Sequence, residues 1–165
     1  MGAYRMVALG RQHDRESFTC GVDSLDKYLK QQARKDVERR SSACFVMCSN
    51  NAPQKVIGYY TLSAYTVELS DLPDTTQKKL PRYPQVPCTL LGRLARDKRH
   101  AGTGSLLLVD ALKRSLLHAS EIASFAVVVH ALSEEATAFY EHFGFIRLDE
   151  TGHQLFLPMV TIEQL

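Results

Sequence analysis

No apolar stretch in this chain approaches the ~18 residues that a membrane span needs, and its first residues, Met-Gly-Ala-Tyr-Arg-Met, lack the apolar run of a secretory signal. A cytoplasmic protein without a membrane partner is expected. Clustered cysteine is absent too: Cys20, Cys44, Cys48 and Cys88 are scattered, which indicates neither a zinc knuckle nor a disulfide framework. Cys44 and Cys48 fall inside a β-branched and aromatic run, where strand alternation puts both on one face as small apolar residues, and no metal site is expected. Repeats and low-complexity tracts are also missing. What remains is 165 residues, 45% hydrophobic and 23% charged, values that disfavour disorder and point to one folded domain over residues 1–165.

The net charge is only +2, but the basic residues are concentrated. Lys27, Lys30, Arg34, Lys35, Arg39 and Arg40 lie in one segment, and Arg93, Arg96, Lys98 and Arg99 in another, with Lys78, Lys79 and Arg82 between. Charge alone leaves two readings open: solvated helix and loop surface, or binding of phosphate in a cofactor or nucleic acid.

Along the chain, Asp23 or Ser24 can cap a first amphipathic helix whose apolar positions are Val22, Leu25, Leu29, Ala33 and Val37. Strands are predicted over 43–49 and 56–62, joined through Asn50, Asn51, Ala52 and Pro53 as in a hairpin. Residues 71–87 carry four prolines and read as a loop with a short helix over 75–80. A strand over 87–95 runs into a basic, glycine-bearing turn, and a strong helix follows with Leu106, Leu107, Ala111, Leu112, Ser115, Leu116 and Ala119 on one side. Phe125 to Ala131 is a continuous apolar run, the mark of a strand near the sheet centre. Ser133 caps a helix that Gly144 ends, and strands over 145–148 and 154–157 flank a turn at 149–153.

The turn Arg99-His100-Ala101-Gly102-Thr103-Gly104 is the first candidate for chemistry. Small residues let backbone N–H groups face an open space, and the following helix N-terminus adds partial positive charge, an anion cradle suited to pyrophosphate. The alternative is a tight turn with glycines at positive φ. It is not a P-loop, since no Gly-Lys-Ser/Thr follows, nor a dinucleotide fingerprint, since Leu107 stands at the third glycine position. Tyr140 is the second candidate. Its phenol holds a proton at neutral pH, and a half-buried helix aromatic is the competing reading. Phe139 and Phe143 read as core. Arg93 reads equally as a structural ion-pair partner or a phosphate contact. His130, inside a predicted central strand, reads as a core residue, and neither it nor His100 is assigned as a base.

Arg99-x-x-Gly102-x-Gly104 before Ser105 to Leu108 resembles the Arg/Gln-x-x-Gly-x-Gly/Ala signature of the GNAT N-acetyltransferases, whose loop holds the pyrophosphate of acetyl-CoA. Four further blocks, Cys20 to Leu29, Gly58 to Ser63, Leu91 to Ala95 and Ala138 to Phe145, resemble in order the acetyltransferase toxins of bacterial toxin–antitoxin pairs. The resemblance runs from about residue 18 to the end, and the loop is about two residues shorter than is usual in those toxins. Either Arg99 or Ala101 can take the signature Arg/Gln position; the second alignment loses the final glycine, the first keeps both glycines and the spacing to the leucines, and cofactor affinity is the property the shortening bears on.

The resemblance implies an α/β (α+β) GNAT fold, one domain with a mixed, mostly antiparallel central sheet flanked by helices and a pyrophosphate-binding strand-loop-helix. It implies an acetyl-CoA-dependent N-acetyltransferase toxin that acetylates the α-amino group of aminoacyl-tRNA and blocks translation. An acetyltransferase for a small amine or a protein N-terminus is the alternative. By the same resemblance Tyr140 is the general acid, and Leu94, Ala95, Arg96, Arg99, His100, Ala101, Gly102, Thr103, Gly104 and Ser105 bind the cofactor. Lys27, Lys30, Arg34 and Arg93 would contact tRNA, the partner would be a ribbon-helix-helix antitoxin, and the toxin would be a homodimer.

Overall fold

Apolar alternation in the first half of the chain becomes a long hairpin: Ala43–Ser49 (β2) pairs antiparallel with Ala52–Glu68 (β3), and Tyr4–Ala8 (β1) adds to the other edge of β2. The computed structural model describes residues 3–150 and 152–165. Gln85–Arg96 (β4), Ala126–His130 (β5), Ile146–Arg147 (β6) and Gln154–Pro158 (β7) complete a seven-stranded sheet in the order β1-β2-β3-β4-β5-β7-β6. β5 runs parallel to β4, while β1 with β2, β2 with β3, β5 with β7 and β6 with β7 are antiparallel, the mixed, mostly antiparallel pattern expected. The helices are Asp23–Lys27 (α1), Ala33–Glu38 (α2), Asp74–Gln77 (α3), Gly104–His118 (α4), Glu134–His142 (α5) and Met159–Ile162 (α6), with a π-helical turn over Tyr28–Gln32 between α1 and α2.

The chain divides into two compact units, residues up to Ser63 with Gly92–Ala111, and Ala64–Leu91 with Leu112–Leu165. In the first, side chains of β2 and β3 alternate between faces. Cys44, Val46, Cys48 and Tyr59 pack with Phe18, Tyr28, Leu29 and Ala33 in one apolar cluster. The Tyr59 hydroxyl donates to the Leu25 carbonyl at 2.6 Å, while its neighbour Tyr60 points the other way and donates to Asp110 of α4, also at 2.6 Å. Gly58 is required on that second face, because a Cβ there would lie 2.8 Å from Leu107 Cδ1 and 3.0 Å from Met47 Cε. Cys44 and Cys48 are buried in the cluster, as expected of small apolar residues, and burial pushes the Cys44 thiol up to about 12. In the second unit Ala126, Val128 and Phe156 form the centre of a cluster with Val67, Leu69, Leu72, Val86 and Cys88, and Val127 to Val129 are fully buried, in keeping with a central strand.

Several boundaries differ from the expectation. β1 and α6 are unanticipated; β1 is short, sits at a sheet edge and has weak alternation, and α6 is a single turn after Pro158. β3 begins at Ala52 and continues to Glu68, because pairing extends it past the apolar core of the segment. Helix α3 is shorter than expected and starts at Asp74, after Pro73. On α4 the buried residues are Leu107, Leu108, Ala111, Leu112 and Ser115, and Leu106 is exposed, so the helical stripe begins one residue later. The expected turn at 149–153 includes Thr151, which lies outside the described residues.

The N-terminus of α1 is also held differently. Neither Asp23 nor Ser24 caps it: Val22 occupies the N-cap with no side-chain bond, and Asp26 instead reaches back, accepting the Cys20 N–H at 2.9 Å. Ser133 does cap α5, accepting the Ala136 N–H at 3.1 Å, and Gly144 follows that helix at φ +97°.

Helix α2 ends in a Schellman motif: the Ser41 N–H bonds the Asp36 carbonyl at 3.0 Å and the Arg40 N–H bonds the Val37 carbonyl at 3.1 Å. The residue that must turn left-handed is Arg40, at φ +58°, where glycine would carry no Cβ penalty. Arg40→Gly is therefore expected to raise stability by about 1 kcal/mol, read as a higher urea midpoint at unchanged slope.

Candidate active site

The segment after β4 is shaped by one carboxylate. Asp97 is 1% exposed. Its oxygens accept the Thr19 N–H at 3.2 Å, the Arg99 N–H at 2.9 Å, Arg99 Nε at 2.8 Å and Arg99 Nη2 at 2.7 Å. The backbone of Asp97 is tied down as well, its N–H to the Ile57 carbonyl at 2.8 Å and its carbonyl to the His100 N–H at 3.0 Å. With four donors converging on it, the carboxyl is held well below the ordinary carboxylate range, the hydrogen bond from Arg99 being the largest cause. Arg99 Nη2 also donates to the Ser17 carbonyl at 2.7 Å, and Lys98 N–H to the Thr19 carbonyl at 2.9 Å. The residues before the first helix thus buttress the turn.

Beyond Arg99 the chain opens. Thr103, buried, donates its hydroxyl to the His100 carbonyl at 2.7 Å, and Ser105 donates to the Gly102 carbonyl at 3.3 Å. Gly102 sits at φ +84° with nothing within 4 Å of where a Cβ would be, so its role is conformational and the space in front of it is open. Among the described residues no acceptor engages the backbone N–H of Ala101, Gly102, Thr103, Gly104, Ser105 or Leu106. Six successive amide donors at the start of a 15-residue helix form a site that fits the pyrophosphate of acetyl-CoA. Of the expected cofactor residues, 101–105 contribute these donors. Arg99 and His100 spend their N–H groups closing the turn, and the Arg99 guanidinium is engaged by Asp97 and Ser17. Leu94, Ala95 and Arg96 end β4 directly before it, with Ala95 buried and Arg96 Nη1 on the Asp97 carbonyl at 3.4 Å.

The expected RNA contacts lie in the same unit. Lys27 pairs with Asp23 at 3.3 Å and Arg34 with Glu38 at 2.9 Å, both exposed pairs one helical turn apart that contribute little to stability. Lys30 is half-buried within the π turn. Arg93, left open between ion pair and phosphate contact, does something else: its guanidinium lies 3.5 Å over the Tyr28 ring.

In the second unit, Tyr140 lies on α5, 8% exposed, with its ring edge-to-face against Phe139 and Phe145 at 5.3 Å each. Its hydroxyl has no hydrogen-bond partner among the described residues, and burial pushes its pKa up from 10. Such a phenol keeps its proton throughout the physiological range. Phe139 and Phe143, expected as core, are only half-buried and pack on each other, since Tyr140 takes the inward position on this helix. His130 is exposed rather than core, the last residue of β5, with Nε2 3.3 Å from the Tyr65 hydroxyl.

No family model matches the chain. A tRNA-acetylating toxin of Mycobacterium tuberculosis (strain ATCC 25618 / H37Rv) is 40% identical over 134 residues, 80% of this chain and 78% of that protein. This chain belongs to the GNAT acetyltransferase toxins. A probable toxin TacT of Sinorhizobium fredii (strain NBRC 101917 / NGR234) is 30% identical over 163 residues, 93% of this chain and 90% of that protein. Among solved structures, a tyrosine-to-phenylalanine mutant of KacT matches with TM-score 0.93 and 31% identity over 99% of both chains. AtaT complexed with acetyl-methionyl-tRNAfMet matches with TM-score 0.89 and 30% identity over 98% of both. AtaTR bound with acetyl-CoA matches with TM-score 0.86 and 28% identity, over 99% of this chain and 98% of that one.

Sequence reasoning singled out the glycines of this toxin's loop but not its anchor. An Asp two residues before an Arg inside a turn is an Asx-turn pattern that could have flagged Asp97; the backbone acceptors at Ser17 and Thr19 leave no sequence signal. Asp97→Asn is expected to lower stability by about 2 kcal/mol at neutral pH, the size of lost charge-assisted bonds at a buried site. Because the folded carboxyl titrates below its unfolded value, its contribution is complete above pH ~4 and fades only as the pH falls below that. Urea unfolding should therefore show a constant wild-type advantage from pH 5 to 8 that narrows towards pH 3; an advantage unchanged at pH 3 would show that the charge is not what matters.

Proposed function

We propose that this chain is an acetyl-CoA-dependent N-acetyltransferase toxin whose substrate is the α-amino group of aminoacyl-tRNA, converted to an amide that cannot act as a peptidyl acceptor, so that translation stops. The observation that carries the cofactor half is the run of six unpartnered amides from Ala101 to Leu106. The substrate half is supported by 40% identity to a tRNA-acetylating toxin and by the match to AtaT complexed with acetyl-methionyl-tRNAfMet. Residues 1–165 act as one acetyltransferase domain in this reading.

Acetyl-CoA supplies an acetyl thioester activated for attack by an amine. The loop amides hold its pyrophosphate, and the backbone of Leu94, Ala95 and Arg96 holds the pantetheine arm and orients the acetyl carbonyl. The neutral α-amine forms the new N–C bond as the C–S bond breaks, its surplus proton goes to solvent, the Tyr140 hydroxyl holds the proton that the departing thiolate takes, and the phenolate regains one from solvent. Lys27, Lys30, Arg34 and Arg93 meet tRNA phosphates. An antitoxin is the second partner: a related structure has AtaT bound to the C-terminus of the antitoxin AtaR, and another is a KacTA–DNA complex. These support an antitoxin of the DNA-binding ribbon-helix-helix kind, and a toxin homodimer would extend the RNA surface across two subunits. No helix among the described residues is long and apolar enough to cross a membrane, in keeping with action on RNA in the cytoplasm.

Transfer of label from radioactive acetyl-CoA to total tRNA tests the reading. Label is expected on charged but not uncharged tRNA, with kcat reduced by about 10²–10³ in Tyr140→Phe and acetyl-CoA binding retained. Since the Tyr140 phenol titrates above 10 and the amine near 8, the rate should rise through pH 7 to 8 with no descending limb below about pH 9. Absence of label on charged tRNA while a small amine or peptide N-terminus is acetylated would refute the substrate assignment.

A further inference from the structure

Arg93 is held in an unusual way for an arginine expected to meet RNA. No residue among those described accepts a hydrogen bond from its guanidinium. Its contact is with a ring: Cζ lies 3.5 Å over the centroid of Tyr28. Tyr28 also packs nearly parallel to Tyr59, at 15° with centroids 6.3 Å apart, and Tyr59 is itself fixed by its bond to Leu25.

The front of Tyr28 is braced from further along the same helix. Its hydroxyl donates to Asp36 Oδ2 at 2.6 Å, and Gln32 Nε2 donates to the other oxygen at 2.8 Å. Tyr28 and Asp36 are eight residues apart, which in a pure α-helix puts them about 80° apart around the axis. The π turn over Tyr28–Gln32 closes with the Ala33 N–H on the Tyr28 carbonyl. One π turn of about 4.4 residues followed by one α turn of about 3.6 brings residue 36 back directly beneath residue 28. The extra residue in this helix is therefore what permits the brace. Burial and the Asp36 bond push the Tyr28 phenol up to about 12, so it stays a donor.

A cation lying flat on a ring gives up one face but keeps its in-plane N–H fork, the geometry that matches two oxygens of a phosphate. We propose that Tyr28, braced by Asp36 across the π turn, is a positioning residue that fixes the plane of Arg93 so that its N–H fork takes a backbone phosphate of the RNA substrate. The inference rests on the tRNA reading above and adds to it the means by which one contact is oriented. Acetyl-CoA also carries phosphate, and separate kinetics for the two substrates distinguish the sources.

KM for charged tRNA and KM for acetyl-CoA would be measured for wild type, Tyr28→Leu, Tyr28→Phe, Arg93→Lys and Arg93→Gln. Tyr28→Leu and Arg93→Lys are expected to raise the tRNA KM about tenfold, the size of a cation–π contact, with the acetyl-CoA KM unmoved. Tyr28→Phe keeps the ring and should recover most of that loss. Arg93→Gln should lower the salt dependence of the tRNA KM by about one unit of log–log slope. An unchanged tRNA KM in Tyr28→Leu or Arg93→Lys overturns the proposal, as does a parallel rise in both KM values, which marks a merely structural residue. A rise confined to the acetyl-CoA KM assigns the phosphate to the cofactor and overturns it equally. If the wild type acetylates an amine but no charged tRNA, the functional reading fails first and takes the inference with it.

Discussion

The carboxylate of Asp97 is the constraint on which the cofactor loop depends. It is a buried charge, and a buried charge is tolerated only when donors surround it. Here the donors are the Thr19 amide, the Arg99 amide and the Arg99 guanidinium, drawn from two stretches of chain far apart in sequence. Satisfying one ion therefore pins the end of β4, closes the first half of the turn and fastens it to the segment before α1. The amides from Ala101 to Leu106 are left without acceptors among the described residues, which divides the turn into a closed half and an open half.

The same arrangement orders the first half of the turn with a side-chain clamp. The cost is that Arg99 is no longer a free cation. Its charge is matched by Asp97, so the open half of the turn offers backbone dipoles and a helix terminus.

Much of this was legible in the sequence because it is written in local terms. Alternation in 43–49 and 56–62, the unbroken apolar run at 126–130, Ser133 with its first-turn carboxylates and Gly144 after α5 each specify an element through neighbours a few residues away. What escaped depends on partners that are remote in sequence. β1 exists because an edge of β2 accepts it, β3 outruns its apolar core because strands flank it, and α1 starts where Asp26 reaches back to Cys20. The π turn is the clearest case: no residue in Tyr28–Gln32 announces an extra residue per turn, and the Tyr28 to Asp36 bond that it permits is visible only in three dimensions. At the site, the glycines could be named from type and spacing, and Tyr140 and the basic residues from the resemblance to the GNAT toxins, whereas Asp97 and Tyr28 act through geometry that no spacing encodes.

Two anions of different kind have to be handled by one small protein in the proposed reaction, and the structure treats them differently. A pyrophosphate has a fixed shape and a fixed pair of charges, so a rigid row of amides recognises it by geometry and loses little to salt. An RNA backbone is a long array of charges screened by counterions, so whole cations are needed and salt weakens them. Arg99 is matched by Asp97, whereas the Arg93 guanidinium has a ring and not a hydrogen-bonded carboxylate for its contact. In the proposed reaction that seat would leave its N–H fork for phosphate, because a ring orients a cation without taking up its donors.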